Sequence, residues 1–150
     1  MSMVLHTTAE KMLDAYKEEK AERLVLLGDL LYHGPRNDLP REYAPKQVIS
    51  MLNDMKKEIY AVRGNCEAEV DQMVLQFPVM ADYCILNLDG RTFYATHGHI
   101  YNENNLPPIQ EGDILIHGHT HVLKAEQKEG YVLLNPGSVS IPKRRKPAYI

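Results

Sequence analysis

The feature that most constrains this chain is a recurrence: short apolar runs end in glycine and then in side chains able to hold a metal ion. Leu24-Val25-Leu26-Leu27 leads into Gly28-Asp29, and Ile59-Tyr60-Ala61-Val62 leads through Arg63 into Gly64-Asn65-Cys66-Glu67. Thr92 to Ala95 leads into Thr96-His97-Gly98-His99, and Asp113 to Ile116 into His117-Gly118-His119-Thr120-His121. Tyr131 to Leu134 runs into Asn135-Pro136-Gly137-Ser138. Apolar runs of this length stopped by turn residues read as short buried strands. In open α/β sheets the carboxyl ends of strands form the ligand crevice, so these loops are expected to converge in space. Glycine suits them because it lets the backbone turn sharply and leaves room beside a metal or phosphate.

Helical periodicity fills the gaps between strands. Thr7 or Thr8 can cap a helix reaching about Lys20, with Met12, Leu13 and Tyr16 recurring at three- and four-residue spacing. Pro45 can open a second, striped by Val48, Ile49, Leu52 and Met55 and ending near Lys57. Glu67 to Phe77 suits a third, stopped by Pro78. Asp89-Gly90 between Tyr83 to Leu88 and Thr92 to Ala95 is a hairpin signal, and Gln127 to Gly130 is a turn. Arg36 to Pro45 reads as a surface loop. The alternation predicts an α/β layered domain.

At 150 residues and 44% hydrophobic, the chain is read as one domain, residues 1–150, able to bury a core without staples. No apolar run approaches the roughly 20 residues that span a bilayer, and no leader pattern opens the chain, so a soluble, cytoplasmic protein is expected. Cys66 and Cys84 are too few for a disulfide framework and are expected as reduced thiols. A net charge of -3 gives no field that draws in nucleic acid or an anionic membrane. The Lys143-Arg144-Arg145-Lys146 cluster reads as a solvated loop, without the interleaved aromatic residues of a nucleic-acid site.

Five of the seven histidines fall in two short loops, at 97, 99, 117, 119 and 121. Isolated histidines are commonly satisfied core or surface residues, but clustering between apolar strands points to metal. Imidazoles combined with the Asp29 carboxylate and the Asn65 amide oxygen offer mixed nitrogen and oxygen ligation, which favours Mn, Fe or Zn over Ca or Mg. Co and Ni fit the same donor set.

Gly28-Asp29, Gly64-Asn65-Cys66-Glu67, Thr96-His97-Gly98-His99 and Gly118-His119-Thr120-His121 together resemble the ordered motifs of the calcineurin-like metallophosphoesterases. The stretches from Leu27 through Gly34 to Asn37 and from Asn135 to Lys143 are similar to the YfcE-type bacterial phosphodiesterase branch. The likeness runs from about Glu10 to Tyr149. It implies a four-layer αββα sandwich of two facing mixed β-sheets flanked by helices. It also implies two divalent metals, Mn foremost, bridged by an aspartate and a hydroxide that attacks a small organic phosphodiester. Carried over, Asp29 bridges the metals, Asn65, His97 and His119 complete one site, and His121 serves the other. Asn65 then also acts in catalysis, since a neutral amide binds metal without cancelling the charge the substrate needs.

The family's first motif, Asp-x-His, is not recognisable here. Val4-Leu5-His6 can occupy its slot with His6 as the histidine, but Val4 cannot replace a carboxylate. One metal instead of two, and truncation at either end, therefore stay open. Cys66 stands where many relatives carry a histidine that protonates the leaving group; an ordinary buried thiol is the plain alternative. Esters with good leaving groups, or protonation by His99 or His33, are expected in that case, general acid catalysis being worth about 10² to 10⁴-fold. His33, Arg36, Asn37 and Arg63 are candidates for phosphate contact, Arg63 being equally able to pair with Glu67 or Glu69. The competing reading is a non-catalytic scaffold, as in the retromer subunit that resembles this family. A homo-oligomer is compatible with either reading.

Overall fold

The structure, a computed structural model, describes residues 6–31 and 44–138, with the side chains of 6–8 outside that description. Its elements are α1 (His6–Glu18), β1 (Leu24–Leu26), α2 (Pro45–Asp54), β2 (Ile59–Ala61), α3 (Glu69–Val74), β3 (Tyr83–Leu88), β4 (Arg91–Thr96), β5 (Asp113–His117), β6 (Leu123–Gln127) and β7 (Tyr131–Pro136).

Alternation along β1 and β2 stacks the layers. The two strands pair in parallel, Leu24 opposite Ile59 and Leu26 opposite Ala61. Neighbouring side chains of a strand point to opposite faces. Leu24, Leu26, Ile59 and Ala61 therefore pack with Ala9, Met12 and Leu13 of α1 and with Val48 and Leu52 of α2. Val25, Leu27 and Val62 face the other way and meet Cys84, Ala95 and Ile116. Those three belong to the second sheet, ordered β3-β4-β5-β7-β6. Here β4, β5 and β7 are parallel, and β3 and β6 close the edges antiparallel. Its outer face carries Tyr94, Leu115, Tyr131 and Leu133, packed by Ile109.

The parallel strands share one direction, so β1, β4 and β5 each run out of their sheets into a ligand-bearing loop. Elements differ from expectation mostly at their ends. α1 starts at His6, ahead of either threonine, and is over by Glu18, with Lys20 left-handed at φ 52°. α3 is six residues long because Glu67 is drawn into a loop and the Asp71 carboxylate accepts the Ala68 N–H at 2.8 Å. β6 was not anticipated: Leu123-Lys124-Ala125-Glu126-Gln127 is mostly exposed and lacks an apolar stripe. Pairing with β7 gives it its extended form. Among the described residues no helix is long and apolar enough to cross a membrane.

Candidate metal centre

Four loops close on a single point. His97 follows β4 and is fully buried; its Nδ1 lies 2.5 Å from the Leu27 carbonyl at the end of β1. A carbonyl can only accept, so Nδ1 carries the proton and Nε2 carries a lone pair. That lone pair points to Asn65 Oδ1 at 3.0 Å, His119 Nδ1 at 3.1 Å and Asp29 Oδ2 at 3.4 Å. Ligand atoms of Asp29, His97 and His119 lie within 4.8 Å of one another. A proton on His119 Nδ1 satisfies one of these contacts and leaves two oxygens facing a nitrogen lone pair. A divalent cation satisfies all four, so the donor set fits a metal. A histidine whose far nitrogen donates to a backbone carbonyl is also the usual arrangement for a metal ligand.

The backbone is bent to achieve this. Asp29, His119 and His121 all lie in the left-handed region, at φ 56°, 61° and 60°, where a side chain costs roughly 1–3 kcal/mol. Gly28 and Gly64 allow the first two loops to touch. A Cβ on Gly28 would sit 2.4 Å from Gly64 N, and one on Gly64 would sit 2.2 Å from Asp29 Oδ1.

Burial sets the protonation states. It pulls the His97 imidazole down to about 4, although the Asp29 carboxylate and the Leu27 carbonyl act the other way. His99 is lowered by burial first and by His119 second, with Arg63 adding in the same direction. Neutral imidazoles are what metal ligation requires.

The structure thus brings together Asp29, Asn65, His97 and His119. His121 lies in the same loop, half-buried, outside the group of mutually close ligand atoms. The His99 ring stands edge-on to His97 at 5.2 Å. Cys66 donates its backbone N–H to Asp29 Oδ1 at 2.9 Å, and its Sγ accepts from the Asn65 amide at 3.3 Å. Both cysteines are free thiols. Arg63 is exposed, its backbone N–H bonded to the Ala81 carbonyl at 2.7 Å. Glu67, one of the two carboxylates weighed as a partner for Arg63, accepts three buried backbone N–H groups through its two oxygens. His33, Arg36, Asn37 and the cluster from Lys143 to Lys146 lie outside the described residues, as does the His6 side chain.

Two residues were missed by sequence reasoning. Glu67 stood inside a quoted motif, where a carboxylate behind a glycine turn signals backbone capping. Fully buried Asn135 donates to the Gly118 carbonyl at 2.9 Å and to Thr120 Oγ1 at 3.0 Å, tying the loop of His119 to the end of β7. Its signal was an asparagine directly after an apolar strand.

A family model described as the calcineurin-like phosphoesterase superfamily domain matches residues 5–150. Phosphodiesterase YfcE of Escherichia coli strain K12 is 47% identical over 139 residues, covering 93% of this chain and 76% of its own. Phosphodiesterase MJ0936 of Methanocaldococcus jannaschii is 23% identical over 135 residues, 85% of this chain and 73% of its own. The solved structure of the Escherichia coli phosphoesterase Yfce superposes with a TM-score of 0.90 at 45% identity, covering 96% of this chain and 81% of that one. The α/β arrangement of mixed sheets flanked by helices is shared with it. A predicted phosphoesterase from Streptococcus pneumoniae, 20% identical with a TM-score of 0.57, shares the fold alone.

Proposed function

This chain belongs to the calcineurin-like phosphoesterase superfamily, and we propose that it is a metal-dependent phosphodiesterase that hydrolyses small organic phosphodiesters at the loops around His97. The observation that carries this is the meeting of four lone-pair atoms, from Asp29, Asn65, His97 and His119, with one proton at most to share among them. The similarity to phosphodiesterase YfcE supports the reaction class.

In this reading Asp29 Oδ2, Asn65 Oδ1, His97 Nε2 and His119 Nδ1 hold a divalent metal, with Mn the first candidate and Zn, Fe, Co and Ni alternatives. His121 is the candidate ligand for a second ion. A metal bound there supplies Lewis-acid polarisation of the phosphoryl oxygens and a water ionised near neutral pH. Leu27, through its carbonyl, fixes the His97 tautomer and ring direction. Cys66 holds Asp29 Oδ1 through its N–H, which leaves Oδ2 directed to the metal position. The Cys66 thiol and the His99 ring are the groups beside the site that can hand a proton to the departing oxygen. A thiol and an imidazole kept neutral by burial are weak proton donors, so esters with good leaving groups are favoured. Arg63, exposed and two residues before Asn65, is the candidate to balance phosphate charge, with His33, Arg36 and Asn37 the further substrate-contact candidates.

The test is hydrolysis of an aryl phosphodiester with and without added Mn. Activity is expected to rise with Mn and to fall in His97→Ala by more than the roughly 10–100-fold typical of losing an outer-shell partner. Background rates with Mn, Co and Zn, while the protein still binds metal, would defeat the proposal.

A further inference from the structure

Glu67 is buried at the junction of two loops, its carboxylate turned to backbone N–H groups. Its Oε2 accepts the N–H of Asp29 at 2.7 Å and the N–H of Gly64 at 2.5 Å, and its Oε1 accepts the N–H of Leu30 at 2.6 Å. One atom therefore spans two chain segments and sets their separation. The clasp is reciprocal. The carboxylate of the second loop caps the backbone of the first, while the Asp29 carboxylate of the first loop caps Cys66 N–H in the second at 2.9 Å.

Three donors on one buried carboxylate make charge-assisted bonds, roughly twice as strong as neutral ones. They hold Asp29 in its left-handed conformation, which a loop of ordinary sequence would relax. The glycines permit the contact, since a Cβ on Gly64 would meet Glu67 Oε2 at 2.8 Å. With the loops so clasped, Asp29 Oδ2 lies 3.4 Å and Asn65 Oδ1 3.0 Å from His97 Nε2.

We propose that Glu67 is a positioning residue that fixes the spacing between Asp29 and Asn65, and so sets the affinity of the site for its metal without touching metal or substrate. This rests on the metal-centre reading above. Glu67→Gln keeps one accepting oxygen, sets an N–H₂ against at least one of the backbone N–H groups and removes the charge, so it loosens the clasp while preserving size. Glu67→Asp keeps the carboxylate one methylene short.

The experiment is calorimetric titration of metal-free protein with Mn, alongside thermal melting and aryl phosphodiester hydrolysis at rising Mn. Tyr16→Phe is the control, since it removes a bond from Tyr16 to Glu58 Oε2 (2.7 Å) that links α1 to the start of β2, away from the site. Wild type is expected to bind Mn, and Glu67→Gln to bind it about 10–100-fold more weakly. Its hydrolysis should recover as Mn is raised, Glu67→Asp should fall between the two, and Tyr16→Phe should leave Mn affinity unchanged. If Glu67→Gln does not fold, Glu67→Asp carries the comparison. Mn affinity within about twofold of wild type, or an equal loss in Tyr16→Phe, overturns the proposal. A wild type that binds no Mn overturns the metal-centre reading itself and this inference with it, and that titration alone separates the two failures.

Discussion

His97 is committed to its task by one neighbour that is not a candidate ligand and by its own burial. The Leu27 carbonyl accepts a hydrogen bond from Nδ1–H, and complete burial keeps the ring neutral, so Nε2 can only offer a lone pair. The same burial gives a pH signature in metal-free protein. The unfolded ring takes up a proton as pH falls below about 6.5, whereas the folded ring does so only near about 4. Unfolding therefore binds protons in that window, and stability is lost as pH drops through it and is flat above it. His99 and His117, both lowered by burial, act in the same direction. Glu67, raised by burial, acts oppositely, so the comparison with His97→Gln isolates the ring. Melting curves between about pH 7.5 and pH 5 should fall with pH in wild type and fall less steeply in His97→Gln. Equal slopes would contradict this assignment of the proton. The candidate ligands Asp29, Asn65, His97 and His119 were visible in the sequence because metal chemistry restricts residue type. Glu67 and Asn135 were harder to see because a clasp on backbone N–H groups depends on which loops touch, and that is set by the fold.

At the scale of elements, the strand-to-loop transitions decide the geometry. Gly28 combines a positive φ of 84° with a backbone neighbour 2.4 Å from any added Cβ, so Gly28→Ala meets strain and overlap together. Gly130 has nearly the same φ, 82°, and nothing within 4 Å. Urea unfolding should show Gly28→Ala destabilised by about 3 kcal/mol or more and Gly130→Ala by about 1–2 kcal/mol. Equal losses would mean that the close approach of the first two loops carries no energetic weight. Strands with apolar runs were legible from pattern, as were α2 from Pro45 and the Asp89-Gly90 hairpin. β6 was not, since an exposed edge strand with lysine and glutamate has no pattern of its own and exists through its register with β7. α3 was overextended because Glu67 favours a helix locally but is more strongly held by three backbone donors in the loop.

For the whole molecule, two sheets meeting through Val25, Leu27, Val62, Ala95 and Ile116 bring the ends of β1, β2, β4 and β5 to one place. The sequence pointed to that convergence because the same glycine-and-ligand punctuation follows each strand. Pattern alone does not separate His117 from His119; the family resemblance singled out His97 and His119, and these two rings meet in the structure. Anomalous scattering from crystals of this protein grown with Mn tests whether these loops meet around a cation. A peak is expected about 2.0–2.3 Å from the Asp29 carboxylate, Asn65 Oδ1, His97 Nε2 and the His119 imidazole. Ordered Mn elsewhere, with none among these four side chains, would contradict it.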